Sequence, residues 1–200
     1  MDAMPTSRIE KRRATYEDLR EVPDNKVAEL IDGELYVSPR PAAPHALAAS
    51  VLLADLGGPF HRGRDGPGGW WIVYEPELHF GEDVLVPDLA GWRRERMREF
   101  PRTAFFSLAP DWVCEVLSPS TERLDRALKL GVYAREGVAH VWLANPESRT
   151  LEVYRRSEAT WLLLATHASG AVVRAEPFDA IGLDLLPLWG ETRPPAPTAG

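Results

Sequence analysis

The order of the segments predicts an α/β (α+β) domain with a central mixed sheet flanked by a few helices. A short helix and a hairpin come first, helices and strands then alternate irregularly, and several short strands follow near the end. Grouping of this kind favours a mixed sheet over the regular repeat of a doubly wound fold. Two apolar, β-branched runs, Val84–Ala90 and Trp112–Leu117, are expected to be buried strands of that sheet.

An Asp-Gly pair is the strongest local signal near the start of the chain. Asp32-Gly33 lies between two apolar segments, Val27–Ile31 and Glu34–Val37, and this pattern predicts an N-terminal β-hairpin. The hairpin carries two carboxylates, Glu29 and Glu34. Because one face of such a ribbon is commonly solvated, both are interpreted as the polar face of an edge ribbon.

Caps, breakers and apolar periodicity predict the remaining elements. Helices are expected after the N-cap Thr15, over His45–Leu56, over Arg93–Glu99, and from Thr121 to Gly137. Strands are expected over Trp70–Tyr74 and Glu77–Phe80, interrupted near Pro76, and over Val138–Ala144. A C-terminal β meander is expected over Leu151–Arg155, Thr160–Thr166 and Ala171–Ala175. Residues 1–14 and 191–200 are expected to be disordered, on either side of a single domain over residues 15–190.

The composition is that of an ordinary globular domain. The chain has 200 residues, of which 44% are hydrophobic and 26% charged. No apolar run reaches the roughly 18 residues of a membrane span, and the start does not have the pattern of a secretion signal, so a cytoplasmic protein is expected. The single cysteine, Cys114, excludes an internal disulfide framework and a cysteine-based zinc site, and is expected to be a small buried hydrophobe.

The formal net charge of −7 does not favour a nucleic-acid partner through long-range attraction. Such a partner would need a local basic patch. The candidates are Arg93, Arg94, Arg96 and Arg98, or Arg62 and Arg64. The first group also fits a solvated helix face, because Glu95 and Glu99 interleave with it.

Each predicted core strand carries one carboxylate near its middle, Asp88 in the first and Glu115 in the second. A charge in a buried strand is costly unless it is paired or binds a metal ion. The alternatives are a turn or cap after Pro87 for Asp88, and a buried salt bridge for Glu115.

The helix expected after Thr121 carries a stripe of polar side chains. Asp125, Lys129 and Tyr133 follow one another at a spacing of four residues. If the helix packs beside the strand that carries Glu115, Lys129 points toward the carboxylates. The alternative is a solvated Asp–Lys pair on the surface.

Together these segments resemble the Uma2 (DUF820) family, which belongs to the PD-(D/E)XK nuclease superfamily. The resemblance is carried by ELIDGELYVSPRP, PDLA, EVLSPST, the Asp–Lys–Tyr helix and GVAHVWLANP, over about residues 15–190. It implies a restriction-endonuclease-like central mixed sheet with a metal site on its core strands.

The resemblance also implies roles for individual residues. Asp88 matches the PD aspartate and Glu115 the acid of the (D/E)XK element. Leu117 stands where the lysine of that element would be, so Lys129 would supply its charge. Glu77 stands where the family often has an acid on the preceding strand. The expected catalytic residues are Asp88, Glu115 and Lys129, the expected metal ligands Asp88, Glu115 and Glu77, and the supporting residues His45, Glu34 and Tyr133.

The resemblance, together with these residues, implies a metal-dependent endonuclease that hydrolyses DNA phosphodiester bonds with Mg²⁺ or Mn²⁺, the ions that oxygen-rich sites prefer. One alternative is a catalytically inactive nuclease-like scaffold that binds a protein or nucleic-acid partner. The acidic net charge and the missing motif lysine favour that alternative. A small-molecule metal enzyme is a third. The resemblance to dimeric nucleases implies a homodimer.

Overall fold

The computed structural model describes residues 12–168 and 170–192, whose strands form two main sheets and a short ribbon. The helices are α1 (Tyr16–Arg20), α2 (Ala43–Leu56), α3 (Glu122–Leu124) and α4 (Leu130–Arg135), with π-helical turns at Gly57–His61 and Asp125–Lys129 and a 3₁₀ turn at Pro187–Trp189. The strands are β1 (Lys26–Ile31), β2 (Glu34–Pro39), β3 (Trp70–Tyr74), β4 (Leu78–Phe80), β5 (Asp83–Leu85), β6 (Leu89–Arg93), β7 (Trp112–Val116), β8 (His140–Asn145), β9 (Thr150–Ser157), β10 (Thr160–Ala168), β11 (Val172–Val173) and β12 (Leu183–Asp184).

The larger sheet has six strands in the order β10-β9-β8-β7-β6-β3. β7 and β8 are parallel, and the other neighbouring pairs are antiparallel. The predicted central mixed sheet is therefore confirmed. Its two faces are covered by different helices, because side chains alternate along each strand. On β7, Trp112 and Cys114 share a core with α2, whereas Val113, and Leu117 just after the strand, share one with α4.

The N-terminal hairpin forms as predicted, but its first strand is not an edge strand. Asp32 and Gly33 both adopt left-handed backbone conformations, with φ of 52° and 80°, as a two-residue hairpin turn requires. β1 pairs with β2 on one side and with β5 on the other, in a four-stranded sheet of order β2-β1-β5-β4. The interpretation of Glu29 as part of a polar edge is therefore wrong, and its side chain is buried.

The predicted strand Val84–Ala90 is divided between the two sheets. Its first part belongs to β5 in the smaller sheet, and its last part belongs to β6 in the larger one. Pro87 lies at the break, where its missing N–H and fixed φ disfavour a continuous ladder. The chain around Pro76 divides in the same way, so β3 and β4 also lie in different sheets.

Three further predictions differ from the structure. Arg93–Glu99 is not a helix, because Trp92 and Arg93 still pair with β3 and the chain then turns. α2 does not stop at Gly57-Gly58 but continues through a π-helical turn. The last predicted strand of the meander, Ala171–Ala175, leaves the sheet: β11 pairs with β12, so the meander consists of β8, β9 and β10.

Most of the expected disordered ends, residues 1–11 and 193–200, lie outside the described ranges. Residues 12–14 are described and lie against the hairpin and α1. The Ala14 N–H donates to the Gly33 carbonyl at 2.8 Å, and Arg12 pairs with Asp18. Within the described ranges, no helix combines the length and the apolar character needed to cross a bilayer.

Candidate active site

A cavity of 260 Å³ lies at the end of the larger sheet where β3 and β7 finish and β6 begins. The three predicted catalytic residues, Asp88, Glu115 and Lys129, all line it. They come from three different places: the residue before β6, the middle of β7, and the π-helical turn between α3 and α4. Glu29 from β1 and His45 from the first turn of α2 line the same cavity.

Lys129 is the centre of a buried ionic cluster. Its Nζ lies 2.8 Å from Glu115 Oε1, 3.0 Å from Glu29 Oε1 and 3.4 Å from Asp125 Oδ1. Burial alone would lower the pKa of Lys129, but the charges of Glu115 and Glu29 outweigh it and hold that pKa well above its usual range. The ammonium group therefore stays protonated at neutral pH.

Tyr133, predicted as a supporting residue, contacts the strand carboxylate directly. Its O–H donates to Glu115 Oε1, and both side chains are buried. Burial raises the pKa of Glu115 well above its usual range, and the nearby Asp125 and Asp88 add to the effect against the opposing charge of Lys129. Burial, with the charge of Glu115, also raises the pKa of Tyr133, so the phenol remains a hydrogen-bond donor.

Asp88 is held between β7 and α2. The Val116 N–H donates to Asp88 Oδ2 at 2.6 Å, and His45 Nε2 lies 3.2 Å from Asp88 Oδ1. Burial lowers the pKa of His45, but the hydrogen bond and the charge of Asp88 outweigh it, so that pKa is raised. His45 Nδ1 is buried without a partner among the described residues. Asp88 is thus oriented by contacts from two elements rather than by a local turn.

The helix that carries Lys129 is not a regular α-helix. In the turn Asp125–Lys129, the Leu130 N–H donates to the Asp125 carbonyl five residues earlier. Asp125 and Lys129, at its two ends, are both buried toward the site. Single π-helical turns of this kind occur frequently at functional sites. The regular spacing in the sequence indicates the stripe but not the wider turn.

Three of the predicted residues do not line the cavity: Tyr133 lies behind Glu115, and Glu77 and Glu34 lie elsewhere. Glu77 instead accepts hydrogen bonds from Tyr16 Oη at 2.8 Å and pairs with His79 Nε2 at 2.6 Å. Glu34 lies at the turn end of the hairpin, exposed, and accepts from Tyr36 Oη at 3.3 Å. Glu75, two residues before Glu77, lines the cavity in its place because the chain bends between β3 and β4.

Glu29, like Glu75, is a cavity residue that the sequence reasoning did not assign to the site. Its Oε1 accepts from the Val86 N–H at 2.8 Å and also contacts Lys129. The signal was present, because Glu29 is a lone carboxylate in the apolar run Val27–Ile31, as Glu115 is in its own strand. The Asp32-Gly33 turn, however, predicts an edge ribbon with Glu29 on its solvated face.

The donor set suits a hard divalent cation. Five carboxylates line the cavity (Glu29, Glu75, Asp88, Glu115 and Asp125), against the two cationic side chains of Lys129 and Arg40. This leaves an excess of negative charge in a mostly buried place. Among residues 12–168 and 170–192, no three His, Cys, Asp or Glu side chains are arranged to hold a metal ion. Mg²⁺, which commonly takes only one or two protein carboxylates, does not require three.

Comparisons with known proteins agree with this fold. The Uma2 family model, described as "Putative restriction endonuclease", matches residues 13–187. The chain is similar to the crystal structure of a DUF820 protein from Anabaena variabilis, described as a putative nuclease, with a TM-score of 0.70 and 22% identity over 88% of this chain and 97% of that one. No curated protein matches the sequence. The family match spans most of the 200 residues and confirms the resemblance carried by the motifs: the chain belongs to the Uma2 family.

Proposed function

We propose that this protein is a metal-dependent endonuclease that hydrolyses phosphodiester bonds in DNA. The observation that carries the proposal is the meeting of Asp88, Glu115 and Lys129 in one cavity at the end of the sheet. The family description and the likeness to a nuclease-type fold support the same chemistry.

Asp88 and Glu115 are the residues that would hold Mg²⁺ or Mn²⁺. Both offer carboxylate oxygens to the cavity, and both are positioned by hydrogen bonds from neighbouring elements. When bound, such an ion neutralises charge on the phosphate and lowers the pKa of a nearby water. Glu77, which was also predicted as a ligand, lies outside the cavity lining and is not included.

Lys129 supplies a fixed positive charge beside the two carboxylates. Because its ammonium is protonated and buried, it can stabilise negative charge that develops on phosphate oxygens or orient the attacking water. Glu29 and Asp125 hold the ammonium from two sides, within 3.0 Å and 3.4 Å. Their role is therefore to position Lys129.

His45 and Tyr133 act on the carboxylates. His45 Nε2 contacts Asp88, and the Tyr133 O–H contacts Glu115, so each carboxylate has a partner that fixes its rotamer. Outer hydrogen bonds of this kind orient metal ligands and commonly change metal affinity or activity about 10–100-fold when removed.

A plasmid-nicking assay with Mg²⁺ or Mn²⁺ tests the proposal. Asp88→Asn and Glu115→Gln keep the side-chain shape and remove the charge, and each is expected to reduce nicking by about 10²–10³-fold. Glu77→Gln is the matched control, because Glu77 does not line the cavity. Equal nicking by the wild type and Asp88→Asn would remove Asp88 from the mechanism.

One observation favours the alternative of an inactive nuclease-like scaffold. The ammonium of Lys129 already lies within 3.4 Å of three carboxylates, so the cluster could serve only to stabilise the fold. A scaffold would neither nick DNA nor need a cation.

The homodimer implied by the family resemblance remains a prediction, and light scattering of the purified protein measures it.

A further inference from the structure

We infer that this site acts on unpaired nucleic-acid strands, such as overhangs, flaps and single-stranded stretches, and not on an intact blunt duplex. The inference rests on the proposed nuclease function and names its substrate class. Depth, size, stiffness and charge of the cavity each support it.

The reactive groups lie below the surface. The side chains of Glu115 and Lys129 are 3% exposed, and that of Asp88 is 13% exposed. A phosphate on a duplex lying across the protein surface would therefore not reach Lys129. The scissile phosphate has to enter the cavity.

The cavity admits only a small part of a nucleic acid. Its 260 Å³ falls below the roughly 300 Å³ at which small-molecule pockets begin. A phosphate with an adjoining sugar fits this space, but a base pair with two backbones does not. Extruding a nucleotide from a duplex costs a few kcal/mol, and an already unpaired strand avoids that cost.

The segments on both sides of the cavity opening, its rim, are conformationally restricted. Pro39 and Pro41 lie on one side of the opening and Pro119 lies on the other, and the φ angle of each proline is fixed by its ring. Between the first two prolines, Arg40 donates to the Asp24 carbonyl at 2.9 Å and pairs with Glu75 at 3.4 Å. On the other side, Ser118 Oγ lies 2.9 Å from Ser120 Oγ and 2.9 Å from Thr121 Oγ1. These contacts hold each side of the opening in place.

The charge around the mouth does not suit a duplex. Glu75 is on the rim, and Arg40 is the arginine among the lining residues. The arginines predicted as a basic patch lie elsewhere: Arg93 ends β6 opposite Trp70, and Arg94 Nη2 donates to the His61 carbonyl. These arginines lie at the far end of β6 from Asp88, and the five residues of that strand span about 16 Å.

An exposed aromatic ring next to the rim suits an unpaired base. Tyr74 is 44% exposed, and its hydroxyl donates to Glu75 Oε1 at 2.9 Å. Tyr74 pairs with Leu89, the residue after Asp88, and the N–H of the adjacent Glu75 donates to the Asp88 carbonyl at 3.0 Å, which places the ring next to the site. Unpaired bases stack on such rings, whereas the bases of a duplex are already stacked.

Fluorescence anisotropy of the full chain with labelled DNA tests the inference. Ca²⁺ replaces Mg²⁺, so that binding is measured separately from cleavage. The probes are a single strand of about 12 nucleotides, within the range of single-strand sites, a blunt hairpin duplex with the same sequence, and that duplex with a 3′ overhang. The single strand and the overhang are expected to bind at least about tenfold more tightly than the blunt duplex, because they avoid unpairing.

Two variants test the contribution of Tyr74. Tyr74→Ala is expected to weaken single-strand binding about fivefold or more through lost stacking, and Tyr74→Phe to retain it. Tyr16→Ala, which removes another exposed tyrosine whose hydroxyl contacts Glu77 instead of Glu75, is the control. Equal or tighter binding of the blunt duplex, or no binding of the single strand, would overturn the inference. Failure of nicking on every substrate would instead overturn the proposed function, because the binding preference is measured without turnover.

Discussion

Lys129 Nζ lies 3.0 Å from Glu29 Oε1, and this contact joins the helical segment after β7 to the N-terminal hairpin. The same glutamate oxygen accepts from the Val86 N–H, just before the break that separates β5 from β6. Three distant parts of the chain therefore meet at one carboxylate. The hairpin is consequently a part of the candidate active site, and not only a cover for the sheet.

The two hairpin glutamates should differ in their effect on stability. Glu29→Gln keeps an acceptor for Val86 but removes the charge beside Lys129, so the free energy of unfolding is expected to fall by about 1–3 kcal/mol. Glu34→Gln, at the exposed turn end, should leave it unchanged within about 0.5 kcal/mol. Urea unfolding followed by circular dichroism measures both. Equal effects of the two substitutions would contradict the burial of Glu29.

Removal of the Tyr133 hydroxyl should also destabilise the protein. Tyr133→Phe keeps the buried ring and removes the donor to Glu115, and a buried acceptor left without its partner costs about 1–3 kcal/mol. Tyr36→Phe is the matched control, because its hydroxyl contacts the exposed Glu34 at 3.3 Å. A Tyr133→Phe protein as stable as the control would show that this hydrogen bond is not formed in solution.

Lys129→Met should leave three buried carboxylates without their shared cation. Breaking a buried ion pair by removing one partner costs about 3–5 kcal/mol, and a loss of that size is expected in the free energy of unfolding. Added Mg²⁺ should restore part of the loss, because a divalent cation supplies the missing positive charge. Thermal unfolding with and without Mg²⁺ measures this, and a variant as stable as the wild type would contradict the central role of the ammonium.

His140 gives the stability a defined pH dependence away from the site. Burial lowers its pKa, and the nearby Glu176 offsets this only in part. The unfolded chain therefore takes up a proton at a higher pH than the folded chain, so the contribution to stability is present above the ordinary histidine range and is lost as pH falls.

His140→Gln should flatten that decline. As pH falls from about 7 to 5, through the ordinary histidine pKa, the unfolding free energy of the wild type should fall more than that of the variant. Urea unfolding at a series of pH values measures it. His167, whose pKa burial also lowers, is present in both proteins, so its contribution to the pH dependence cancels in the comparison. A constant difference over this range would contradict the burial of His140.

Much of the site could be predicted from local patterns. Asp88 and Glu115 are single carboxylates in apolar runs, and Lys129 and Tyr133 share a helical stripe with Asp125; the structure brings all five to one cluster. These signals are short-ranged and depend on burial and side-chain period alone. The mixed sheet and the hairpin followed from segment order and turn chemistry in the same way.

Other features depend on pairings between distant segments. Glu29 is buried because β1 pairs with β5, more than fifty residues later, and no local pattern specifies that partner. The family resemblance implies a metal ligand at Glu77, but the bend at Pro76 places Glu77 just before β4 of the smaller sheet, beside Tyr16 and His79. The π-helical turn that carries Lys129 likewise has no signature in a pattern read at 3.6 residues per turn.

The central claim is that Asp88 and Glu115 together hold a divalent cation beside Lys129. Calorimetric titration with Mn²⁺ tests it most directly, because it measures binding without a substrate. The wild type and Glu77→Gln are expected to bind one ion with similar affinity, and Asp88→Asn and Glu115→Gln to lose that binding. Mn²⁺ binding that survives both of these substitutions, or a wild-type protein that binds no Mn²⁺, would contradict the claim.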